Sequence, residues 1–326
     1  MKKLTFISSL RSHLEKFVEL KRLSGTDYDA QTRLLTYFDQ FLVKQKYVNT
    51  NHLTEKIVES YFSSKPHLLP RTFQNRFSVV RQFCCYLSQF NQTTYVPEAI
   101  KMLKSSTSRI PYIFNKPQLE SLLFESKELP PKGSLRPHTF YTLFGLLYTT
   151  GLRIGEALAL KIEDFHQDTR MLYVRNGKFR KSRWVPVSPS TSSKIKTYIT
   201  LRKKVRKTFP NSLLFVSTKN DGLHQSTVYS AFAYLLEQCQ IKKDRFRGPR
   251  IVDLRHTFAV HRIIEWYQAG EDVQNKLPSL ATYMGHVNIC STQVYLQATA
   301  ELLEQGNKRF LKYFRQNISR SGGYDE

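Results

Sequence analysis

Apolar positions in the first hundred residues recur with a helical period. In LRSHLEKFVELKRL, residues 10–23, Leu10, Leu14, Phe17, Val18 and Leu20 make one stripe. TRLLTYFDQFLVKQ, residues 32–45, repeats it with Leu34, Leu35, Phe38, Phe41 and Leu42. HLTEKIVESYFSS, residues 52–64, and PRTFQNRFSVVRQFCCYLSQF, residues 70–90, are a third and a fourth candidate helix. The fourth sets Arg71, Arg76 and Arg81 among Phe73, Phe77, Val80 and Phe83, so these arginines either track phosphates or solvate an outer face. The periodicity then stops. The polar stretch around residues 92–112, with Pro97, Pro111 and Pro117 in and just after it, predicts an inter-domain linker. A helical domain over 1–105 and a second domain over 112–326 follow.

The second domain mixes periods. HTFYTLFGLLYTTG, residues 138–151, is an apolar helix stopped by Gly151, and TGLRIGEALAL starts another. RMLYVRNGKFRKSRWVPV, residues 170–187, alternates as strand, turn, strand: Leu172, Val174, Val185 and Val187 are apolar, and Asn176-Gly177 supplies the turn. Further helices are predicted at 190–207, 225–238, 253–268, 277–285 and 300–316. The last has an amphipathic stripe of Leu302, Leu303, Phe310, Leu311 and Phe314. The chain therefore reads as mainly α, with a small antiparallel sheet in its second domain.

Charge narrows the partner. The 326 residues hold 50 Lys and Arg against 26 Asp and Glu, a net +24. The excess is spread along the chain, with 16 basic and 8 acidic side chains in residues 1–105 and 34 and 18 in the remainder. Such a surface favours a polyanion, and double-stranded DNA gripped from both domains fits it. Cys84, Cys85, Cys239 and Cys290 have neither disulfide-framework nor zinc-site spacing and fit reduced thiols in a cytoplasm. MKKLTFISSL starts like a signal peptide, but Arg11 and His13 interrupt its short apolar stretch. No run reaches transmembrane length.

Four segments carry candidate chemistry. Arg153 lies at the helix–helix junction of TTGLRIGEALAL, where a guanidinium can clamp a phosphate beside helix-terminal amides. Lys178 sits at the hairpin turn, with Arg180, Lys181 and Arg183 after it; a turn lysine is solvated unless its tip meets a leaving oxygen. Arg255 opens the helix VDLRHTFAVH. In GHVNICSTQVY, residues 285–295, His286 precedes Tyr295 by nine positions. Taken singly each is weak. In this order, after a basic helical domain, they resemble the tyrosine recombinases, the integrase family of site-specific DNA recombinases.

The resemblance implies a fold: a helical, SAM-like core-binding domain followed by an α+β catalytic domain with a small antiparallel sheet. It also implies a mechanism. Tyr295 attacks a DNA phosphate to form a 3′-phosphotyrosyl bond, Arg153 and Arg255 neutralise the non-bridging oxygens, Lys178 protonates the departing 5′ oxygen, and His286 bonds or positions the phosphate. No metal, cofactor or ATP is expected; Glu163 and Asp164 of KIEDF are sequence neighbours that do not face one site. The terminal helix is expected to dock on a neighbouring protomer, giving a homotetramer on two duplexes.

One position departs from the family. A histidine usually stands three residues before the second arginine; here it is Val252. Losing one charge-assisted hydrogen bond costs roughly 1.5–3 kcal/mol, a slowing of roughly 10- to 100-fold if it acts only in the transition state. Three readings stand open: a variant that works with valine, a compromised copy, or compensation by His256. A catalytically weak, sequence-specific DNA-binding protein on the same fold and a type IB topoisomerase-like enzyme are the alternatives to a recombinase.

Overall fold

The computed structural model describes residues 5–25, 27–47, 51–99, 111–175, 177, 181–205, 207–218, 222–241, 248–286, 292, 295 and 304. The chain divides into two compact units, Met1–Ser108 and Arg109–Glu326.

The first unit holds helices α1 (Arg11–Leu23), α2 (Asp29–Lys44), α3 (Glu55–Ser63) and α4 (Pro70–Leu87). Their stripes meet in one core of Leu14, Phe17, Leu35, Phe38, Tyr61, Val80, Phe83 and Leu87. Each such side chain contributes about 1.5–3 kcal/mol by leaving water. Leu20, placed on the α1 stripe by sequence, is exposed instead; a 3.6-residue period carries the stripe from Leu14 through Phe17 and Val18 to Lys21. The buried carboxylate of Asp39 accepts the backbone N–H groups of Ile7 and Ser8 at 2.7 and 3.0 Å, which ties the entering chain to α2. All three α4 arginines have partners within the unit, Arg71 donating through Nη1 to Gln74 Oε1 at 3.3 Å. Arg76 lies over the Tyr37 ring, and Arg81 donates to Pro97 O at 2.8 Å.

The second unit is built around α6 (Arg136–Thr150), whose Phe140, Leu143, Phe144, Leu146 and Leu147 are all buried. A helix apolar on nearly every side must be surrounded. α5 (Lys116–Ser126), α8 (Pro189–Val205) and α10 (Ile251–Gln268) pack against it. The sequence pattern did not predict α5, because Pro117 read as a breaker. Pro117 instead occupies the first helical turn, behind a capping box in which Asn115 and Gln118 satisfy each other's backbone N–H groups. α7 (Ile154–Ala159) follows α6, and α9 (Gln225–Gln238) and α11 (Val273–Met284) complete the described helices. α11 starts four residues before the predicted 277, where Asp272 caps Gln274 and Asn275, and it accommodates Pro278 within its length.

The sheet is antiparallel, β1 (Phe165–His166), β2 (Met171–Val174) and β3 (Arg183–Pro186) in that order. Leu172 pairs with Val185, and Val174 with Arg183. This register leaves eight residues between the paired strands, more than a two-residue Asn176-Gly177 turn allows. In this pairing Leu172, Val174 and Val185 are buried on one face of the sheet. Lys178 and the predicted helix 300–316, apart from Glu304, lie outside the described residues. Among the described residues no helix is long and apolar enough to cross a membrane.

Candidate active site

The site is organised by the end of α11. Gly285 follows that helix at φ 69°, and its N–H donates to Thr282 O while His286 N–H reaches back to Ala281 O at 2.9 Å. This left-handed turn stops the helix and leaves its last carbonyls facing outward, at the negative end of the dipole. Three consecutive carbonyls each accept an arginine. Arg183 Nε donates to Tyr283 O at 3.0 Å, Arg255 Nη2 to Met284 O at 2.8 Å, and Arg153 Nη2 to Gly285 O at 3.0 Å. A Cβ at position 285 would lie 2.8 Å from Arg183 Nη1, so the close approach also favours glycine.

Arg153 is delivered by a second left-handed glycine. Gly151 ends α6 at φ 60°, and a Cβ there would come within 2.6 Å of Phe258 Cδ1. The chain then extends through Arg153 into α7. Arg255, only 4% exposed, bridges two helix ends, because its Nη1 donates to Gly151 O. Burial, then the charge of Arg153, lower its pKa to about 10, so it stays cationic at neutral pH.

Glu156 holds the arginines in place. Arg153 Nη1 donates to its Oε1 at 2.8 Å, and Arg183 donates through Nη2 to Oε2 at 2.9 Å and through Nη1 to Oε1 at 3.2 Å. Burial pushes this carboxyl up, yet Arg183 and Arg153 outweigh it and hold it below the usual carboxylate range. On the far side, buried Asp253 accepts Arg250 Nη2 at 3.0 Å and the Arg250 backbone N–H at 2.8 Å. Three guanidiniums thus share two carboxylates and Arg255, on carbonyls, adds a fourth positive charge, a surplus beside which an anion is favoured.

The two remaining sequence candidates sit against this cluster. His286 Nδ1 lies 2.7 Å from the hydroxyl of buried Thr292. Burial, then Arg255 and Arg153, push its pKa down to about 4, so the ring is neutral at pH 7. Tyr295 is 3% exposed, with its ring nearly parallel to His286 at 6.2 Å between centroids. Burial raises its phenol pKa, and the positive charges of Arg255 and Arg153 act against that rise. Its hydroxyl lies 2.9 Å from Nδ1 of His256.

Arg153, Arg255, His286 and Tyr295 are therefore brought together; Lys178 falls outside the described residues. Arg183 was not singled out from the sequence as a site residue. The signal was present, since period-two alternation puts Arg183 on the same face of β3 as Val185 and Val187. Val252 is 40% exposed on the first turn of α10, one turn before Arg255. Among the described residues no group of three or more His, Cys, Asp or Glu is placed to hold a metal ion.

The phage integrase family profile matches residues 113–301. The chain is 31% identical over 308 residues to y4rB of Sinorhizobium fredii (strain NBRC 101917 / NGR234), which is named as an integrase/recombinase; the match covers 93% of this chain and 97% of that protein. It is 26% identical to the tyrosine recombinase XerD of Listeria monocytogenes serovar 1/2a (strain ATCC BAA-679 / EGD-e), over 88% of this chain and 93% of XerD. Its fold resembles the XerH site-specific recombinase solved on a palindromic difH substrate in a post-cleavage complex. That likeness has a TM-score of 0.64 at 21% identity and covers 91% of this chain and 83% of that one.

Proposed function

The chain belongs to the phage integrase family of tyrosine recombinases, and from that premise we propose that it cuts and rejoins double-stranded DNA through a 3′-phosphotyrosyl link to Tyr295. One observation carries the reading: a phenol hydrogen-bonded to an imidazole sits beside Arg153 and Arg255, whose guanidiniums are both fixed on the end of α11.

A phosphodiester resists attack because it is anionic. Arg153 and Arg255 offset that charge on the non-bridging oxygens as a fifth ligand joins phosphorus. Their backbone anchors hold them in place before substrate arrives, so little reorganisation is needed in the transition state. His286, neutral, donates a hydrogen bond to the phosphate. Lys178 supplies the proton to the departing 5′ oxygen. The covalent tyrosyl ester conserves the energy of the broken bond, so rejoining needs no ATP. The first unit, with its basic helices, grips the duplex with the second, and exchange of the terminal helix links four protomers on two duplexes. Whether the products are those of integration, excision or resolution depends on the site supplied.

A second reading has its own support. Val252 offers no hydrogen bond to phosphate from a solvent-accessible position where the family usually has histidine, which favours a DNA-binding protein with little cleavage. Nicked suicide duplexes carrying candidate sites, including sequences flanking the gene, separate the two. The recombinase reading predicts a denaturation-resistant protein–DNA adduct that Tyr295→Phe abolishes without loss of binding. Binding with no adduct from either protein supports the second reading. Adducts on unrelated sequences support a topoisomerase.

A further inference from the structure

Attack by Tyr295 on phosphorus requires an acceptor for the phenolic proton, and valine at position 252 cannot be one. We propose that His256 is the general base for Tyr295, taking the phenolic proton at Nδ1 as the phenol oxygen attacks phosphorus, with Asp253 holding the imidazole in register. The proposal rests on the recombinase reading above and names the group that activates its nucleophile.

Among the described residues, the proton acceptor within hydrogen-bond distance of the Tyr295 hydroxyl is His256 Nδ1, at 2.9 Å. The rings lie 5.4 Å apart between centroids, inclined at 54°. The other ring nitrogen, Nε2, faces Asp253 Oδ1 at 4.0 Å. That carboxylate is fully buried and fixed by Arg250, so its charge favours the tautomer with the proton on Nε2 and the lone pair on Nδ1. Nucleophile and base are thus within hydrogen-bond reach, and a buried carboxylate lies 4.0 Å from the other nitrogen of the base.

The other imidazole is less suited. His286 is surrounded by Arg255, Arg153, Arg183 and His256, all of which disfavour a proton on it, and its Nδ1 is engaged by Thr292. His256 faces Asp253, which favours protonation, and Arg250, at the cap of α10, and Arg255, within it, which disfavour it; Tyr295 and His286 face it from the segment after α11. Burial keeps its pKa below the usual value, so the resting ring is neutral and ready to accept. The step balances. The bond from Tyr295 oxygen to phosphorus forms and the bond from phosphorus to the 5′ oxygen breaks. The phenolic proton passes to His256, and the leaving oxygen is protonated by a separate acid, Lys178. On rejoining, His256 returns its proton to the phenol.

The test is single-turnover adduct formation on a nicked suicide duplex by the full chain, comparing wild type, His256→Ala and His256→Gln. The glutamine keeps a hydrogen-bonding side chain but cannot carry the proton, and it guards against a packing defect in the alanine variant. Both are expected to bind DNA as wild type does and to form adduct about 10²- to 10⁴-fold more slowly. The acid limb of the pH–rate profile should disappear, and added imidazole should partly restore His256→Ala. A substrate with sulfur in place of the bridging 5′ oxygen needs no acid, so it should rescue Lys178→Ala but not His256→Ala. Rates within a few-fold of wild type, faster cleavage, or rescue by the sulfur substrate would overturn the assignment. A wild-type protein that forms no adduct while binding DNA would overturn the recombinase reading itself, and this inference with it.

Discussion

Replacing Glu156 by glutamine tests whether one carboxylate fixes the arginine cluster. Its two oxygens accept N–H groups from the Arg183 and Arg153 side chains and from the Arg153 backbone. Glutamine offers one oxygen and no charge. The Arg153 side chain is about one-third exposed, so water replaces part of what it loses. Arg183 is only 14% exposed and has no such recourse. Removing one partner from a buried pair costs about 3–5 kcal/mol, and the exposure of Arg153 argues for the lower end, about 3 kcal/mol. Both tryptophans, Trp184 and Trp266, belong to the second unit, so their fluorescence during denaturant unfolding reports on that unit alone. The midpoint should fall with the slope unchanged. The acid dependence has a definite sign. Because the folded carboxyl titrates below its ordinary value of 4.5, its stabilisation is complete above about that pH and is lost as pH falls through the folded pKa. The gap between wild type and variant should therefore be about 3 kcal/mol at pH 7 and narrow below pH 4.5. A gap under about 1 kcal/mol, or one unchanged by acid, would refute the reasoning, since 1 kcal/mol is what an exposed pair provides.

Three other perturbations have defined outcomes. Gly151→Ala places a Cβ against Phe258 in a left-handed backbone, and should cost about 2–5 kcal/mol in thermal or denaturant unfolding; a neutral result would mean the turn relaxes freely. His286 is neutral when folded but takes a proton below about 6.5 when unfolded, so stability should fall as pH drops from about 6.5 towards about 4; His286→Asn should remove that part of the slope, measured as midpoint against pH. Val252→His should speed adduct formation or leave it unchanged, because the position is open to solvent; a large loss would show that the pocket has been rebuilt around valine.

The sequence made most of the helices legible because their burial is periodic. Leu14, Phe17 and Val18, or Leu35, Phe38 and Leu42, each mark one face without knowledge of the partner. α5 escaped because Pro117 carries opposite meanings at the start and in the middle of a helix. Only the core of the second unit, which buries Phe114 and Leu122 on either side of Pro117, selects the first. The hairpin was legible as two strands, but its register was not, since the turn residues Asn176-Gly177 point to a tighter turn than the observed pairing makes and both registers bury the same face. In the site, Gly151 was visible as a helix stop, while Gly285 was read as the last residue of the helix 277–285. That their carbonyls anchor Arg255 and Arg153 was not visible, because those contacts join residues over a hundred positions apart or on separate helices. His256 was similarly ambiguous. Beside Arg255 it reads as structural until the fold brings Tyr295 against its ring.

The most direct test of the account is the identity of the residue joined to DNA. After reaction with a suicide duplex, protease digestion and mass spectrometry of the cross-linked peptide should locate the nucleotide on Tyr295 through a 3′ phosphate. Attachment at Tyr283, at any other residue, or through a 5′ phosphate would contradict it.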